Sequence, residues 1–266
     1  MKRRLTFLLT GLLALSAFAQ ESYNRNTFTA SDGTQLNYRE LTPQAKEKDE
    51  KYPLVLFMHG AGERGSDNNK QLFHGAAMFE NPVNREAYPA YVIFPQCPEN
   101  GYWAYHKRPD SFQPDSMPLL TAPTPLINGV RELLEQYRNR PDIDTDRIYI
   151  IGMSMGAMAT YDLTGRYPEV FAAAIPICGT VNPKRLEKSE DVNFRIYHGD
   201  ADDIVPVNGS RKAYLKLKEI GANVEYIEMP GINHGSWTPA FNQADFMQWL
   251  FSQRKSSDTN TNQLED

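Results

Sequence analysis

The sequence predicts an α/β protein, a mostly parallel central sheet with helices on both faces. Two observations carry this. Through the middle of the chain, short apolar runs rich in β-branched and aromatic residues alternate with segments whose apolar residues recur at helical spacing. Every stretch with chemically suggestive side chains follows directly on one of those runs. That is the carboxyl end of a predicted strand, where sheets of this kind bind their ligands.

Residues 1–19 read as an export signal and not as part of the fold. Lys2, Arg3 and Arg4 form a basic head, residues 5–15 an apolar core, and Ala17-Phe18-Ala19 a small-x-small cleavage site. The apolar core is too short to span a bilayer, and no cysteine follows it to carry a lipid. The expectation is an exported protein, periplasmic or secreted, with no membrane association once the signal is cleaved. Residues 20–255 have the length of one domain with a substantial core, and 256–266 form a polar, aromatic-free tail expected to be disordered. Loss of the leader removes three basic and no acidic residues, taking the formal charge from −5 to −8. An acidic chain without a basic run argues against nucleic acid as a partner.

In order, residues 27–30 and 35–41 flank Ser31-Asp32-Gly33-Thr34 and predict a hairpin. A charged loop over 46–51 precedes a buried strand at 54–58, a helix near 70–79 and a strand at 90–94. A helix over 125–138 puts Leu126, Val130, Leu133, Leu134 and Tyr137 on one face. Strands are predicted at 148–151, 172–177, 194–197 and 224–229. One helix is predicted over 209–220, and an amphipathic one over 241–251 closes the fold. Cys97 and Cys178 follow strands with two others between them. At about 4.8 Å per strand step they are roughly 14 Å apart, too far for a disulfide, so both thiols should be free and buried.

The strand at 148–151 runs into Gly152-Met153-Ser154-Met155-Gly156 and then into a helix-favouring stretch. A serine at the apex of so sharp a turn needs small neighbours, and a glycine on each side supplies them. The amide of Met155 then opens the following helix, where it can stabilise a developing oxyanion. Three further loops follow strands: His59-Gly60-Ala61-Gly62-Glu63-Arg64-Gly65, then His198-Gly199-Asp200-Ala201-Asp202-Asp203, then Gly231-Ile232-Asn233-His234. A nucleophilic serine needs a neutral imidazole to take its proton and a carboxylate to fix the tautomer. His234 fits the first need; Asp200 and Asp202 fit the second equally well on local chemistry, with Asp203 a weaker third.

The remaining candidates have structural readings. His59 and His198, each before a glycine at a strand end, are expected to be structural hydrogen bonders. His74 and His106 lack metal-ligand spacing, Glu63-Arg64 reads as a loop ion pair, and no metal or cofactor is required. Only a short link, 180–193, joins two consecutive predicted strands, with no large lid between them, so the site should be open. The long connection over 96–123 carries Tyr102, Trp103, Tyr105, His106 and Phe112. Trp103 and Tyr102 are expected to wall the substrate by stacking on sugar or aromatic rings, the alternative being that they pack the loop onto the domain.

Serine, acid, then histidine is the chain order of the α/β-hydrolase fold, and the sequence resembles that superfamily from about residue 54 to 251. Within it, the chain looks like the compact carboxylesterase and phospholipase/carboxylesterase-like branch, which includes polyester-depolymerase-like, feruloyl-esterase-like and predicted-peptidase members. The residues that carry the likeness are His59 to Gly65, Pro95-Gln96-Cys97-Pro98 with Trp103, and His198-Gly199-x-x-Asp202-x-x-Val205-Pro206. The resemblance implies Asp202 as the triad acid. It also implies the Ala61 amide beside that of Met155 in the oxyanion hole, with Gly62 the alternative to Ala61. The expected function is a secreted serine carboxylesterase acting on a small-molecule or polysaccharide-linked ester, such as an acyl or feruloyl ester of plant polysaccharide. The alternatives are a peptidase of the prolyl-oligopeptidase kind and a catalytically silent carbohydrate-binding protein.

Overall fold

Eight strands form one sheet in the computed structural model, which describes residues 22–255. The export-signal and tail expectations lie outside the described residues. The strands are β1 (Asn24–Thr29), β2 (Gln35–Leu41), β3 (Tyr52–Met58), β4 (Tyr91–Gln96), β5 (Ile143–Met153), β6 (Ala173–Ile177), β7 (Asn193–Gly199) and β8 (Val224–Met229). Their order across the sheet is β1-β2-β4-β3-β5-β6-β7-β8. β1 and β2 run antiparallel at one edge, and all pairings from β4 to β8 are parallel.

β3 shows why the centre of the sheet is stable. All seven of its residues are buried, and successive side chains go to opposite faces. Leu54, Leu56 and Met58 enter the core with Val130, Leu133, Met158 and Leu217. Val55 and Phe57 enter the other with Phe79, Phe94, Phe246 and Leu250. A continuous apolar strand is therefore what two helical layers require.

The helices are α1 (Ala76–Glu80), α2 (Pro82–Ala87), α3 (Pro125–Arg138), α4 (Met155–Arg166), α5 (Asn208–Glu219), α6 (Trp237–Phe241) and α7 (Phe246–Ser252). α3 has the bounds its sequence signals: Thr124 caps it, accepting from the Ile127 amide at 3.2 Å, and Pro125 fills the first turn. Ile127 is buried on the core face where Leu126 was expected; Leu126 is half-buried at its border.

Two expected helices are broken. The one near 70–79 is a 3₁₀ turn (Lys70–Leu72) and then α1, parted by Gly75 at φ 80° with the Phe57 ring occupying the space of a side chain. The closing helix is α6 and α7, parted by the exposed residues 242–245, with the rings of Phe241 and Phe246 edge-to-face at 5.6 Å across the break. Between β6 and β7 there is a 3₁₀ turn, Pro183–Leu186, and no inserted helical cap.

Cys97 and Cys178 are free and buried, with β3 and β5 lying between their strands. Burial pushes the Cys97 thiol up to about 12 and that of Cys178 still higher. Alkylation should therefore modify two thiols in unreduced, denatured protein and almost none in native protein. Mass spectrometry reads both, and an unmodified pair in denaturant would overturn the strand order.

Candidate active site

The turn between β5 and α4 holds Ser154 at φ 53°, ψ −116°, a conformation that costs a non-glycine residue energy and persists only where its surroundings impose it. The surroundings here do. The Ser154 amide donates to the Ile177 carbonyl at 2.9 Å, tying the turn to β6. Helix α4 lies so close to β3 that a side chain on Gly156 would overlap the Met58 carbonyl oxygen. One on Gly152 would overlap the Gly156 carbonyl oxygen.

His234, in the loop after β8, has Nε2 2.9 Å from Ser154 Oγ and Nδ1 2.8 Å from Asp202 Oδ2. Asp202 comes from the loop after β7. Its Oδ1 accepts the amides of Ile204 and Val205, each at 2.9 Å, and its Oδ2 is also 3.0 Å from His198 Nε2. Burial of the Asp202 carboxyl works to raise its pKa. The hydrogen bonds from His198, His234 and Val205 outweigh burial and hold it well below the usual carboxylate range. The structure thus separates three carboxylates that look alike locally. Asp200 is exposed and accepts the Gly231 amide at 2.6 Å, Asp203 is exposed, and Asp202 alone reaches His234.

Ser154 and His234 open onto a cleft of about 360 Å³ that is also lined by Gly60, Ala61, Gly62, Glu63, Tyr102, Arg108, Phe112, Ile204 and Trp237. A depression of similar size, about 340 Å³, lies at the amino-terminal end of β3 between Tyr88, Arg147 and Phe251, far from this chemistry. Ala61 opens the 3₁₀ turn Ala61–Glu63, and Met155 is the first residue of α4. Amides at the first turn of a helix have no partner within it, so both can turn to an oxygen on a carbon bonded to Ser154.

Several side chains sit differently from expectation. Trp103 does not wall the cleft. It is fully buried, packs against the His59 ring at 5.3 Å, and donates from Nε1 to the His59 carbonyl at 3.2 Å. Tyr102 reaches the cleft with only 5% of its surface exposed, its hydroxyl directed at Met158 Sδ. The cleft face of this loop belongs to Phe112, with the Arg108 guanidinium 4.8 Å above its ring. Trp237 also lines the cleft, edge-on to His234 at 5.6 Å and 5.2 Å from the His74 ring. Its place three residues after the histidine was the signal available in the sequence.

Glu63 and Arg64 are not paired with each other. Arg64 donates to the carbonyls of Ala61 and Gly101, pinning the Ala61 turn to the aromatic loop. The Glu63 carboxyl is 3.7 Å from His74 Nε2, and burial raises the pKa of Glu63 while lowering that of His74. His59 is the structural hydrogen bonder expected. Its Nδ1 donates to the Gly60 carbonyl, its Nε2 accepts the Cys97 amide, and burial lowers its pKa to about 4.

Cys178, Asp202 and His234 bring three possible metal donors within 4.8 Å of one another. The donor set suits proton transfer better than a cation. Asp202 and His234 already engage each other, and burial keeps the Cys178 thiol protonated.

The sequence profile of the phospholipase/carboxylesterase family matches residues 43–248. A putative esterase, NocK, from Nocardia uniformis subsp. tsuyamanensis is 25% identical over 182 residues, which are 68% of this chain and 48% of that protein. A probable carboxylesterase, SOBER1-like, from Arabidopsis thaliana is 24% identical over 228 residues, 78% of this chain and 81% of the relative. The crystal structure of a thermostable esterase superposes with a TM-score of 0.82 at 35% identity, covering 90% of this chain and 64% of that one. The chain thus spans about half the length of NocK and just under two thirds of the thermostable esterase. A profile match over most of the sequence, on a sheet of this order, assigns the chain to the phospholipase/carboxylesterase family of α/β-hydrolases.

Proposed function

We propose that the protein is a serine hydrolase of carboxylic esters that works through an acyl-enzyme on Ser154. The observation that carries this reading is the position of His234, 2.9 Å from Ser154 Oγ through one ring nitrogen and 2.8 Å from a buried, ionised Asp202 through the other. An anionic partner at Nδ1 keeps the proton there and leaves Nε2 free to take the serine proton. Ser154 attacks the ester carbonyl, and the oxyanion is received by the amides of Met155 and Ala61, with Gly62 the alternative to Ala61. His234 then protonates the leaving alcohol, and water repeats the sequence on the acyl-enzyme.

No metal or cofactor has a part in these steps. The uncapped cleft, with Phe112, Ile204 and Trp237 at its walls, fits an ester that is presented openly, including an acyl or feruloyl ester on polysaccharide. Phe112 and Trp237 take the stacking role first expected of Trp103. The basic and apolar leader over residues 2–15 supports an exported setting, periplasmic or secreted.

A fluorophosphonate probe tests the nucleophile directly. It should add once per chain, on the peptide that holds Ser154, and lose that site when p-nitrophenyl acetate competes. p-Nitrophenyl acetate and methyl ferulate should be turned over at least about tenfold faster than aminoacyl-p-nitroanilides. Labelling elsewhere would remove Ser154 as nucleophile, and equal turnover of the anilides would replace the esterase reading with a peptidase.

A further inference from the structure

His198 ends β7 as a fully buried side chain, and the steps above give it nothing to do. Its Nε2 is 3.0 Å from Asp202 Oδ2 and 2.9 Å from the Val205 carbonyl oxygen. A carbonyl oxygen only accepts, so Nε2 carries a hydrogen and shares it between the two oxygens. On the other side, Nδ1 is 2.7 Å from Ser210 Oγ, which also stands 3.4 Å from the Gly179 carbonyl. The shorter contact favours a hydroxyl that donates to Nδ1. A neutral imidazole with its proton on Nε2 then matches Asp202, Val205 and Ser210, and the Gly179 carbonyl gives up the longer contact.

The titratable groups around this ring and its partners Asp202 and Ser210 come from four elements. Asp202 is on its own loop. Glu228 lies opposite in register on β8, engaged by Arg211 of α5 and by Tyr226. Cys178 at the end of β6 and Tyr161 of α4 are both kept neutral by burial. The contact that links this ring to the catalytic residues is therefore that with Asp202, whose Oδ2 is shared by two histidines while Oδ1 is fixed by two amides.

We propose that His198 is a positioning residue for the esterase chemistry, a neutral imidazole whose Nε2–H holds Asp202 Oδ2 and draws off part of the charge that His234 depends on. The proposal rests on the reading of Ser154, His234 and Asp202 given above. It makes the pairing of the triad a three-body arrangement, histidine–carboxylate–histidine, with Ser210 fixing the tautomer of the buried member. Without His198, Asp202 gives His234 a stronger partner, and His234 becomes harder to deprotonate.

Two measurements test it. In kcat/KM against pH with p-nitrophenyl acetate, His198→Ala should move the acid limb upward by about half a pH unit. On that limb the loss should be about threefold larger than on the plateau. His198→Gln, whose side-chain amide can donate from near the Nε2 position, should keep the limb within about 0.2 unit of the natural protein. A purely structural role would lower the plateau in His198→Ala and leave the limb in place. An equal shift in both variants would also overturn the proposal.

The second measurement uses the unaltered protein and depends on neither turnover nor the folding of a variant. Imidazole ¹⁵N shifts, taken at the pH of the activity plateau, should show His198 protonated at Nε2 and bare at Nδ1. A ring protonated at Nδ1 alone would sink the contact. Absent ester turnover and absent fluorophosphonate labelling would sink the esterase reading and leave the tautomer result to judge the contact itself.

Discussion

Asp202→Asn should lower kcat/KM for p-nitrophenyl acetate about 10⁴-fold, whereas Asp200→Asn should leave it within about threefold. The size of the first effect follows from which way the new amide must point. The amides of Ile204 and Val205 both donate to Oδ1, so asparagine keeps its oxygen there and turns its NH₂ to the Oδ2 position. That NH₂ then faces His234 Nδ1, which answers by accepting. The ring proton moves to Nε2, where it points at Ser154 Oγ and blocks the transfer the reaction needs. The volume is unchanged, but the new NH₂ also meets the His198 Nε2–H that Oδ2 accepts, so the variant should lose some Tm as well as fail in kcat rather than KM. Asp200 holds only the Gly231 amide from an exposed position. If Asp200→Asn proves the damaging change and Asp202→Asn the mild one, the acid has been assigned to the wrong residue.

What the sequence revealed and what it hid divide along a physical line. Elements whose ends are set by local chemistry could be read: α3 begins at Thr124-Pro125, where cap and first-turn residue coincide, and β3 announces itself by the apolar run Leu54 to Met58, to which the structure adds Tyr52 and Pro53. The elbow at Ser154 was legible because only glycine fits where Gly156 meets β3. Features set by neighbours distant in sequence could not be read. Asp200 and Asp202 differ through the reach of a loop 31 to 32 residues onward, which brings the Gly231 amide to Asp200 and His234 to Asp202. His198 looked like any histidine at a strand end until the Asp202 and Ser210 side chains folded onto it. Trp103 is the clearest case. A loop over 96–123 with irregular backbone has no periodicity to say which aromatic faces inward, and the tryptophan went under while Phe112 stayed at the cleft.

Trp103→Ala should therefore destabilise the protein and show no preference among substrates. Removing a fully buried indole costs about 3–5 kcal/mol, which for a domain of this size is roughly 6–20 °C in Tm. Part of that loss is specific. The His59 carbonyl loses the Nε1–H that it accepts at 3.2 Å, and the His59 ring loses the surface it packs against. His59 directly precedes Gly60 and Ala61, so any relaxation loosens the turn proposed to receive the oxyanion and harms a small acetate ester as much as an aryl ester. Phe112→Ala supplies the contrast. Phe112 faces the cleft and is only half-buried against the core, so Tm should fall by clearly less than in Trp103→Ala, while kcat/KM falls about three- to tenfold for methyl ferulate and much less for p-nitrophenyl acetate. The pair of variants, each measured for Tm and for the ratio of the two substrates, separates packing from recognition. A stable Trp103→Ala protein that loses the aryl ester selectively would return the tryptophan to the substrate and show that the loop opens far enough to expose it.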